Sequence, residues 1–495
     1  VNLLTFLLSH SSRMPDRVAI TDSLDSLTYS SLAERVQRVA NGLKQRCHIH
    51  RKVAILIRNR VEFVEIFLGA IYAGLVPVPL DPKWSSVEIN AVLAQCEPGI
   101  IFAEDRYAHH IHLPTSQAEQ VEIIVLSQEN AGAYEQWVAT FPPKSELIAS
   151  NELLFIGFTS GTTGIPKGYM RTPHSWVTSF EATREAFQLD IRHCMAPGPL
   201  VHSLSLFAML QSLYFGATFH LIKQFQANKV MEVCTAVPGM ILFVVPTMIE
   251  SLLQQANPSK VSIQALISAG GKWSEQSKRQ CREVFGGQTK LYEYYGSSEA
   301  SYISYMDIYE AKKPGSVGRP FSGVEISIRD EQDQEVAGEV GQLFVRSSMT
   351  FTGYYQLSEE TSAVFQDGWL KTGDYMSADS DGYLYLAGRS MNKVVTGGLN
   401  VFPEEVETVM QQLPSVQEVM VVGMPDERWG EKVTAIVQWR GDQCLSLNEV
   451  KEYCRNYLAS YKAPKQLITV DRFIYTSSGK IARQLMKEYV KEVME

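Results

Sequence analysis

Apolar residues recur at helical spacing in some stretches of this chain and crowd into short unbroken runs in others. That is the pattern of helices alternating with buried strands. Leu32, Val36, Val39 and Leu43 fall on one helix face, and Ser31-x-x-Glu34 at its start reads as a capping box. Residues 53–57 read as a strand, followed by a helix near 62–72. The longest apolar stretch, 66–80, is broken by Pro77 and Pro79 and is too short to span a bilayer, so no transmembrane segment is expected. It reads as a core helix running into a strand. Residues 100–102, 123–125, 155–158 and 241–245 read as further buried strands. The alternation predicts an α/β fold, with helices packed over largely parallel sheets in a large N-terminal domain.

Near Pro314 the pattern changes. Glycines and short alternating runs, as at 324–328 and 342–346, predict a β-rich subdomain over about 314–388. A strand at 383–387 ends at Gly388-Arg389. Beyond it, a helix (404–411), two strands (418–422 and 433–438) and a second helix (447–457) predict a small α+β C-terminal domain. A chain of 495 residues exceeds one ordinary core. The expected division is an N-terminal domain over 1–388, a hinge at 389–392 and a mobile domain over 393–495. Residues 1–8 are apolar without a basic flank or a small-residue cleavage site, and read as an amphipathic opening helix.

Charge and cysteines narrow the choice. A formal net charge of −9 opposes binding nucleic acid through a broad basic face. Seven cysteines without CxxC spacing argue against a zinc site or a disulfide framework, and fit a reducing, cytoplasmic setting.

Residues 158–168 read Phe-Thr-Ser-Gly-Thr-Thr-Gly-Ile-Pro-Lys-Gly. Glycines let backbone N–H groups turn toward one point and hydroxyls add donors, so the loop suits an anion such as a polyphosphate. A flexible linker is the bland alternative, but linkers rarely sit directly on a core strand with a lysine behind a proline. A Walker A loop is excluded, because Pro166 precedes Lys167 and because Gly479-Lys480 is followed by Ile481.

This loop resembles the signature of the adenylate-forming superfamily: acyl-CoA synthetases, peptide-synthetase adenylation domains and luciferases. Further motifs follow in that superfamily's order. They are Pro199-Leu200-Val201-His202, Ser268-Ala269-Gly270-Gly271, Tyr294-Tyr295-Gly296-Ser297-Ser298-Glu299, Gly368-Trp369-Leu370-Lys371-Thr372-Gly373-Asp374, Gly388-Arg389, Gly397-Gly398 and Ser477-Ser478-Gly479-Lys480. Each has a plainer reading when taken alone: a core histidine, a Tyr-rich strand, a turn, a surface lysine. The acyl-CoA ligases are the most similar branch.

The resemblance implies site residues. Thr159, Ser160, Gly161, Thr162, Thr163, Gly164 and Lys167 would cradle the phosphates of ATP. Gly270, Gly271, Tyr295, Gly296, Ser297 and Ser298 would line the adenine, phosphate and acyl positions, and Asp374 and Arg389 would hold the ribose and phosphate. His202 would sit beside the substrate carboxylate, and Glu299 with Thr163 would hold Mg²⁺. Lys480 would bridge carboxylate and α-phosphate. Gly397 and Gly398 would flank the pantetheine arm of coenzyme A. At the hinge, Met391 and Asn392 replace the charged residues common there.

The implied reaction is ATP-dependent formation of an acyl-AMP from a small-molecule carboxylic acid, then acyl transfer to the CoA thiol. No Asp or Glu occurs from Cys194 to His220 to hold an amino group. The expected substrate is therefore an apolar acid, with a medium- or long-chain fatty acid first and an aryl or o-succinylbenzoate-like acid as alternative. Ligation to a carrier-protein phosphopantetheine, a luciferase-like oxygenase and a non-catalytic nucleotide-binding module are the other readings.

Overall fold

The computed structural model describes the chain except for residues 1–2, 23–24, 48–50, 115–119, 128–131, 145–151, 160–165, 256–260, 272, 310–312, 390–391, 397–398, 427, 442, 459, 477–478 and 495. The chain forms two compact units, Val1–Glu325 with Val345–Leu370, and Ile326–Phe344 with Lys371–Glu495.

The first unit is α/β. A nine-stranded sheet has the order Arg319–Pro320, Ser301–Asp307, Lys290–Ser297, Ile263–Ser268, Met240–Val244, His193–Met195, Thr218–His220, Val18–Thr21, Ser26–Thr28. Its central pairs, from Lys290–Ser297 across to Val18–Thr21, are parallel. A four-stranded sheet, Val76–Pro79, Lys52–Leu56, Ile100–Glu104, Glu122–Leu126, is parallel throughout. These strands are nearly unbroken apolar runs because both faces are covered. A three-stranded antiparallel sheet joins Phe155–Thr159, Lys167–Arg171 and Gly353–Tyr354.

An aromatic column ties these layers together. Phe67 meets Phe155 at 6.0 Å between ring centroids, Phe155 meets Trp176 at 4.7 Å, Trp176 meets Phe207 at 5.4 Å, and Phe207 meets Tyr302 at 5.4 Å. Each such pair adds about 0.5–1.5 kcal/mol beyond the area it buries.

The second unit is built on strands Leu399–Val401, Val394–Thr396, Gly430–Trp439 and Val416–Asp426, with Gln466–Thr469 parallel to Gly430–Trp439. Helices Pro403–Met410 and Leu447–Arg455 pack a valine-rich core against it. Short strands dominate residues 314–389, with Ser358–Val364 as the single helix among the described residues there. No helix among the described residues is long and apolar enough to cross a membrane.

Two local expectations are corrected. The helix assigned a Ser31–Glu34 capping box begins earlier, as Tyr29–Arg46, and Thr28 caps it by accepting from the Ser31 N–H. Burial of Tyr29, whose hydroxyl donates to the Ala217 carbonyl at 2.7 Å, draws the first turn forward. The opening helix spans Thr5–Arg13 instead of 1–8. Its polar end is held where His10 Nε2 meets the Tyr214 carbonyl at 3.0 Å, a contact that apolar patterning does not reveal.

Gly296 packs so closely that an added Cβ would overlap the Ser301 carbonyl, whereas a Cβ at Gly287 would meet nothing within 4 Å. Gly296→Ala is expected to lower stability by about 1–3 kcal/mol, because backbone must shift to make room. Gly287→Ala is expected to leave the denaturation midpoint unchanged. Equal midpoints for the two variants in urea unfolding would contradict this packing.

Candidate active site

Parallel strands present their carboxyl ends on one edge, where connecting loops gather and ligands bind in open α/β sheets. Strands His193–Met195, Met240–Val244, Ile263–Ser268 and Lys290–Ser297 are successive parallel neighbours. The loops leaving them carry residues 196–202, 245–246, 269–271 and 298–300. Three sequence-predicted segments, at 199–202, 268–271 and 294–299, are thereby drawn to one edge of one sheet. Gly270 has φ +78°, a backbone conformation that suits glycine. Gly271 follows it on the exposed loop, and Ser297 Oγ accepts from the Ala300 N–H at 3.0 Å to close the turn.

Strands Phe155–Thr159 and Lys167–Arg171, on either side of the glycine- and threonine-rich stretch, pair antiparallel. Thr159 and Lys167 are directly opposite across this pair. Ser160, Gly161, Thr162, Thr163 and Gly164 lie outside the described residues. The Lys167 ammonium lies 5.8 Å from the Tyr354 ring centroid, and the Tyr354 hydroxyl donates to Glu299 Oε1 at 3.1 Å. Burial, reinforced by the Glu299 charge, raises the Tyr354 pKa, so the phenol keeps the proton it donates.

Behind Glu299 sits Arg171, fully buried in strand Lys167–Arg171. Its Nη1 donates to the carbonyls of Ser298 and Glu299, both at 3.2 Å, and its Nη2 to the carbonyl of Met349 at 2.5 Å. Burial pushes its pKa down to about 10, still well above neutral, so it stays cationic.

His202 is the N-cap residue of helix Ser203–Tyr214. Its loop is clamped by Asn59, which donates to the carbonyls of Gly198 (2.8 Å) and Ile222 (2.9 Å) and accepts from the Leu200 N–H (2.7 Å). The imidazole Nε2 meets Asp81 Oδ2 at 3.0 Å. Burial disfavours the Asp81 carboxylate, but the hydrogen bonds from His202 and the Lys83 N–H outweigh it and set the pKa below the usual range. Next along the helix, Ser203 Oγ lies 2.9 Å from Ser298 Oγ and 2.6 Å from the Tyr169 hydroxyl. Within the first unit, then, His202, Ser298, Glu299 and Lys167 are linked through Ser203 and Tyr354.

In the second unit, Asp374 and Arg389 pair directly across strands Trp369–Ala378 and Leu384–Arg389, with Arg389 Nε 3.2 Å from Asp374 Oδ1. Lys480 is exposed on a tight turn closed by the Thr476 N–H donating to the Lys480 carbonyl at 2.7 Å. Desolvation, followed by the Arg389 charge, lowers the Lys480 pKa. Asn392 donates its side-chain amide to Glu404 Oε1, which supplies a polar contact at the position where an acid was expected. Met391, Gly397 and Gly398 lie outside the described residues.

Residues 8–355 match the AMP-binding enzyme family, and residues 405–480 match the AMP-binding enzyme C-terminal domain. The chain belongs to the AMP-binding enzyme family. It is 33% identical over 486 residues to YhfT of Bacillus subtilis, an uncharacterized acyl–CoA ligase, with 97% of each chain covered. It is 29% identical to VraA of Staphylococcus epidermidis, a putative long chain fatty acid-CoA ligase, with 98% of each covered. The ATP-bound crystal structure of MatB from Rhodopseudomonas palustris superimposes with a TM-score of 0.91 at 26% identity, covering 100% of this chain and 99% of that one. This chain is accordingly an adenylate-forming enzyme of the acyl-CoA ligase kind, an AMP-forming acid–thiol ligase.

Four residues of this AMP-binding enzyme were missed in the sequence: Asn59, Asp81, Arg171 and Tyr354. None lies in a motif that announces chemistry by itself. Arg171 does carry a usable signal, a charged residue closing a strand and paired with Phe155 at the apolar end of its partner strand.

Replacing Arg171 with lysine keeps a charge but loses the planar fork that reaches separate carbonyls. Arg171→Lys is expected to destabilise the enzyme by at least about 2 kcal/mol, through carbonyls left unpaired in the interior. Thermal unfolding at neutral pH measures it, and an unchanged midpoint would show that these bonds contribute little.

Proposed function

We propose that this AMP-binding enzyme activates a medium- or long-chain fatty acid and transfers it to coenzyme A. The observation that carries the reading is the linkage of His202 to Glu299 and Lys167 at the carboxyl edge of the large sheet. It sets a group suited to a carboxyl substrate beside groups suited to a nucleotide phosphate and its metal. The apolar tail is favoured by the absence of acidic residues from Cys194 to His220, by the apolar neighbours Val201 and Leu206, and by the name that VraA bears.

In the first half-reaction a carboxylate oxygen attacks the α-phosphorus of ATP, forming acyl-AMP and releasing pyrophosphate. Residues 159–167 cradle the departing phosphates. Glu299 offers a partly exposed carboxylate, a hard oxygen donor of the kind Mg²⁺ takes together with water and phosphate oxygens. Thr163 is the second proposed ligand. The ion, when bound, would neutralise phosphate charge. Ser298 lies within reach of the same region, and Gly270, Gly271, Tyr295, Gly296 and Ser297 border the nucleotide. Asp374 and Arg389 hold the ribose and phosphate. Lys480 brings an ammonium to the crowded oxyanions as the new bond forms.

In the second half-reaction the CoA thiolate attacks the acyl carbon and AMP departs. Rotation of the C-terminal domain about residues 389–392 would withdraw Lys480 and bring Gly397 and Gly398 to the pantetheine arm, a switch between two catalytic arrangements.

Two measurements test this. Pyrophosphate exchange across a panel of straight-chain, branched and aromatic acids, followed by thioester formation with CoA, is expected to peak with medium or long fatty acids. Exchange confined to aromatic acids would overturn the substrate assignment. Lys480→Ala is expected to abolish adenylation while sparing thioester formation from supplied acyl-AMP. Because the Lys480 pKa is lowered, its ammonium is lost at lower pH than the ordinary value of about 10.4. Adenylation should fall on that alkaline limb, and Lys480→Arg, which stays charged, should move the limb upward.

A further inference from the structure

Asp81 and His202 come from different sheets. Asp81 follows strand Val76–Pro79 of the four-stranded sheet, and the loop carrying His202 leaves the nine-stranded one. The Asp81 backbone is fixed on both sides. The Leu80 N–H donates to the Ile55 carbonyl at 2.9 Å, and the Trp84 N–H donates to the Asp81 carbonyl at 3.0 Å. Trp84 is itself buried against Phe158. The His202 backbone is equally fixed, its N–H donating to the Pro199 carbonyl at 3.0 Å and its carbonyl accepting from the Leu206 N–H at 3.1 Å. Neither residue can follow the other by backbone movement, so the contact between their side chains is set by the fold.

The two carboxylate oxygens of Asp81 have separate tasks. Oδ1 accepts from the Lys83 N–H at 2.9 Å and Oδ2 meets His202 Nε2 at 3.0 Å. Asp81 is 4% exposed, and the His202 side chain is 33% exposed. One edge of the imidazole is therefore committed to a buried anion, which requires a proton on Nε2. The rest of the ring is partly open to solvent, next in sequence to Ser203, whose Oγ lies 2.9 Å from Ser298 Oγ.

We propose that Asp81 is the positioning residue that fixes the tautomer and orientation of His202, so that Nδ1 is the ring atom that meets the substrate carboxyl group. The inference rests on the reading of His202 as the acid-side residue. Asp81 acts through the ring and does not touch the acid.

Asn at position 81 discriminates sharply. An amide has one acceptor oxygen and one donor nitrogen. The Lys83 N–H is a donor and keeps the oxygen, which turns the NH₂ toward His202 Nε2. That nitrogen must then accept, and the ring proton moves to Nδ1. Asp81→Asn thus reverses the donor and acceptor edges of the ring at nearly constant volume.

The full-length chain, labelled with ¹⁵N-histidine, is compared as wild type and Asp81→Asn at a pH where the ring is neutral, with His202→Gln assigning the resonance. Wild type is expected to carry the proton on Nε2 and Asp81→Asn on Nδ1. In pyrophosphate exchange, Asp81→Asn is expected to lower kcat/KM for the acid about 10- to 100-fold, the size of a lost hydrogen bond to a charged group. KM for ATP should change less than about twofold, which a general loss of structure would not spare. A wild-type His202 protonated on Nδ1 overturns the proposal without any variant, and so does an Asp81→Asn enzyme with wild-type kinetics for the acid. If wild type shows no acid-dependent exchange with any acid, the fatty acid reading fails, and the tautomer spectra alone decide the role of Asp81.

Discussion

A guanidinium with no surface in contact with water is costly to bury, and the interior around Arg171 is arranged to meet that cost. Its donors go to backbone carbonyls at Ser298, Glu299 and Met349. The Glu299 carbonyl also accepts from the Phe351 N–H at 2.7 Å. A buried carbonyl without a partner would be penalised by about 1–3 kcal/mol. The two Nη groups of one cation thus serve three loop carbonyls, while its Nε is buried without a partner among the described residues. The loop bearing Glu299 holds its shape because this exchange is mutual, and Glu299 is the anchor for Tyr354 and, through that ring, for Lys167.

The parts of this arrangement differ in how far the sequence discloses them. Apolar runs disclosed the strands of the four-stranded sheet but only Met240–Val244 of the nine-stranded one, because a strand covered on both faces is apolar along its length while the short or polar-flanked strands of the larger sheet are not. The motif order pointed to residues 159–167, the Tyr-Gly-Ser-Ser-Glu segment, His202, Asp374, Arg389 and Lys480 as candidates. What stayed hidden was partnership. His202 could be singled out by its neighbours, yet Asp81 lies 121 residues earlier in a different sheet. Nothing in periodicity links them. Asn59 is similar, a polar residue after a strand whose bonds all go to distant backbone. The first helix boundaries failed for a related reason. Local capping signals favoured Ser31, but a tertiary hydrogen bond at Tyr29 decided where the helix begins.

Electrostatics follows a similar economy. The chain is acidic overall, with a formal net charge of −9, so cationic character must be local to be useful for a polyphosphate. In the first unit it is concentrated at Lys167, which faces an aromatic ring and not a carboxylate. In the second unit Arg389 is paired with Asp374, and the Lys480 pKa is lowered first by desolvation and then by the Arg389 charge.

A chain of hydroxyls joins the helix capped by His202 to the loop bearing Glu299. Tyr169, Ser203 and Ser298 lie within hydrogen-bond distance in sequence, at 2.6 Å and 2.9 Å. Ser203 opens the helix that His202 caps, and Ser298 precedes the residue proposed to hold the metal. Burial raises the Tyr169 pKa, so its phenol remains a neutral participant that can donate or accept. Hydroxyls reorient at little cost, and a row of them can redistribute protons among donors without moving heavy atoms. The helix that His202 caps and the loop that bears Glu299 are therefore joined by groups that can change polarity in place. A row of apolar residues would hold the same spacing and offer no such adjustment, and a row of charges would adjust only at a cost in desolvation.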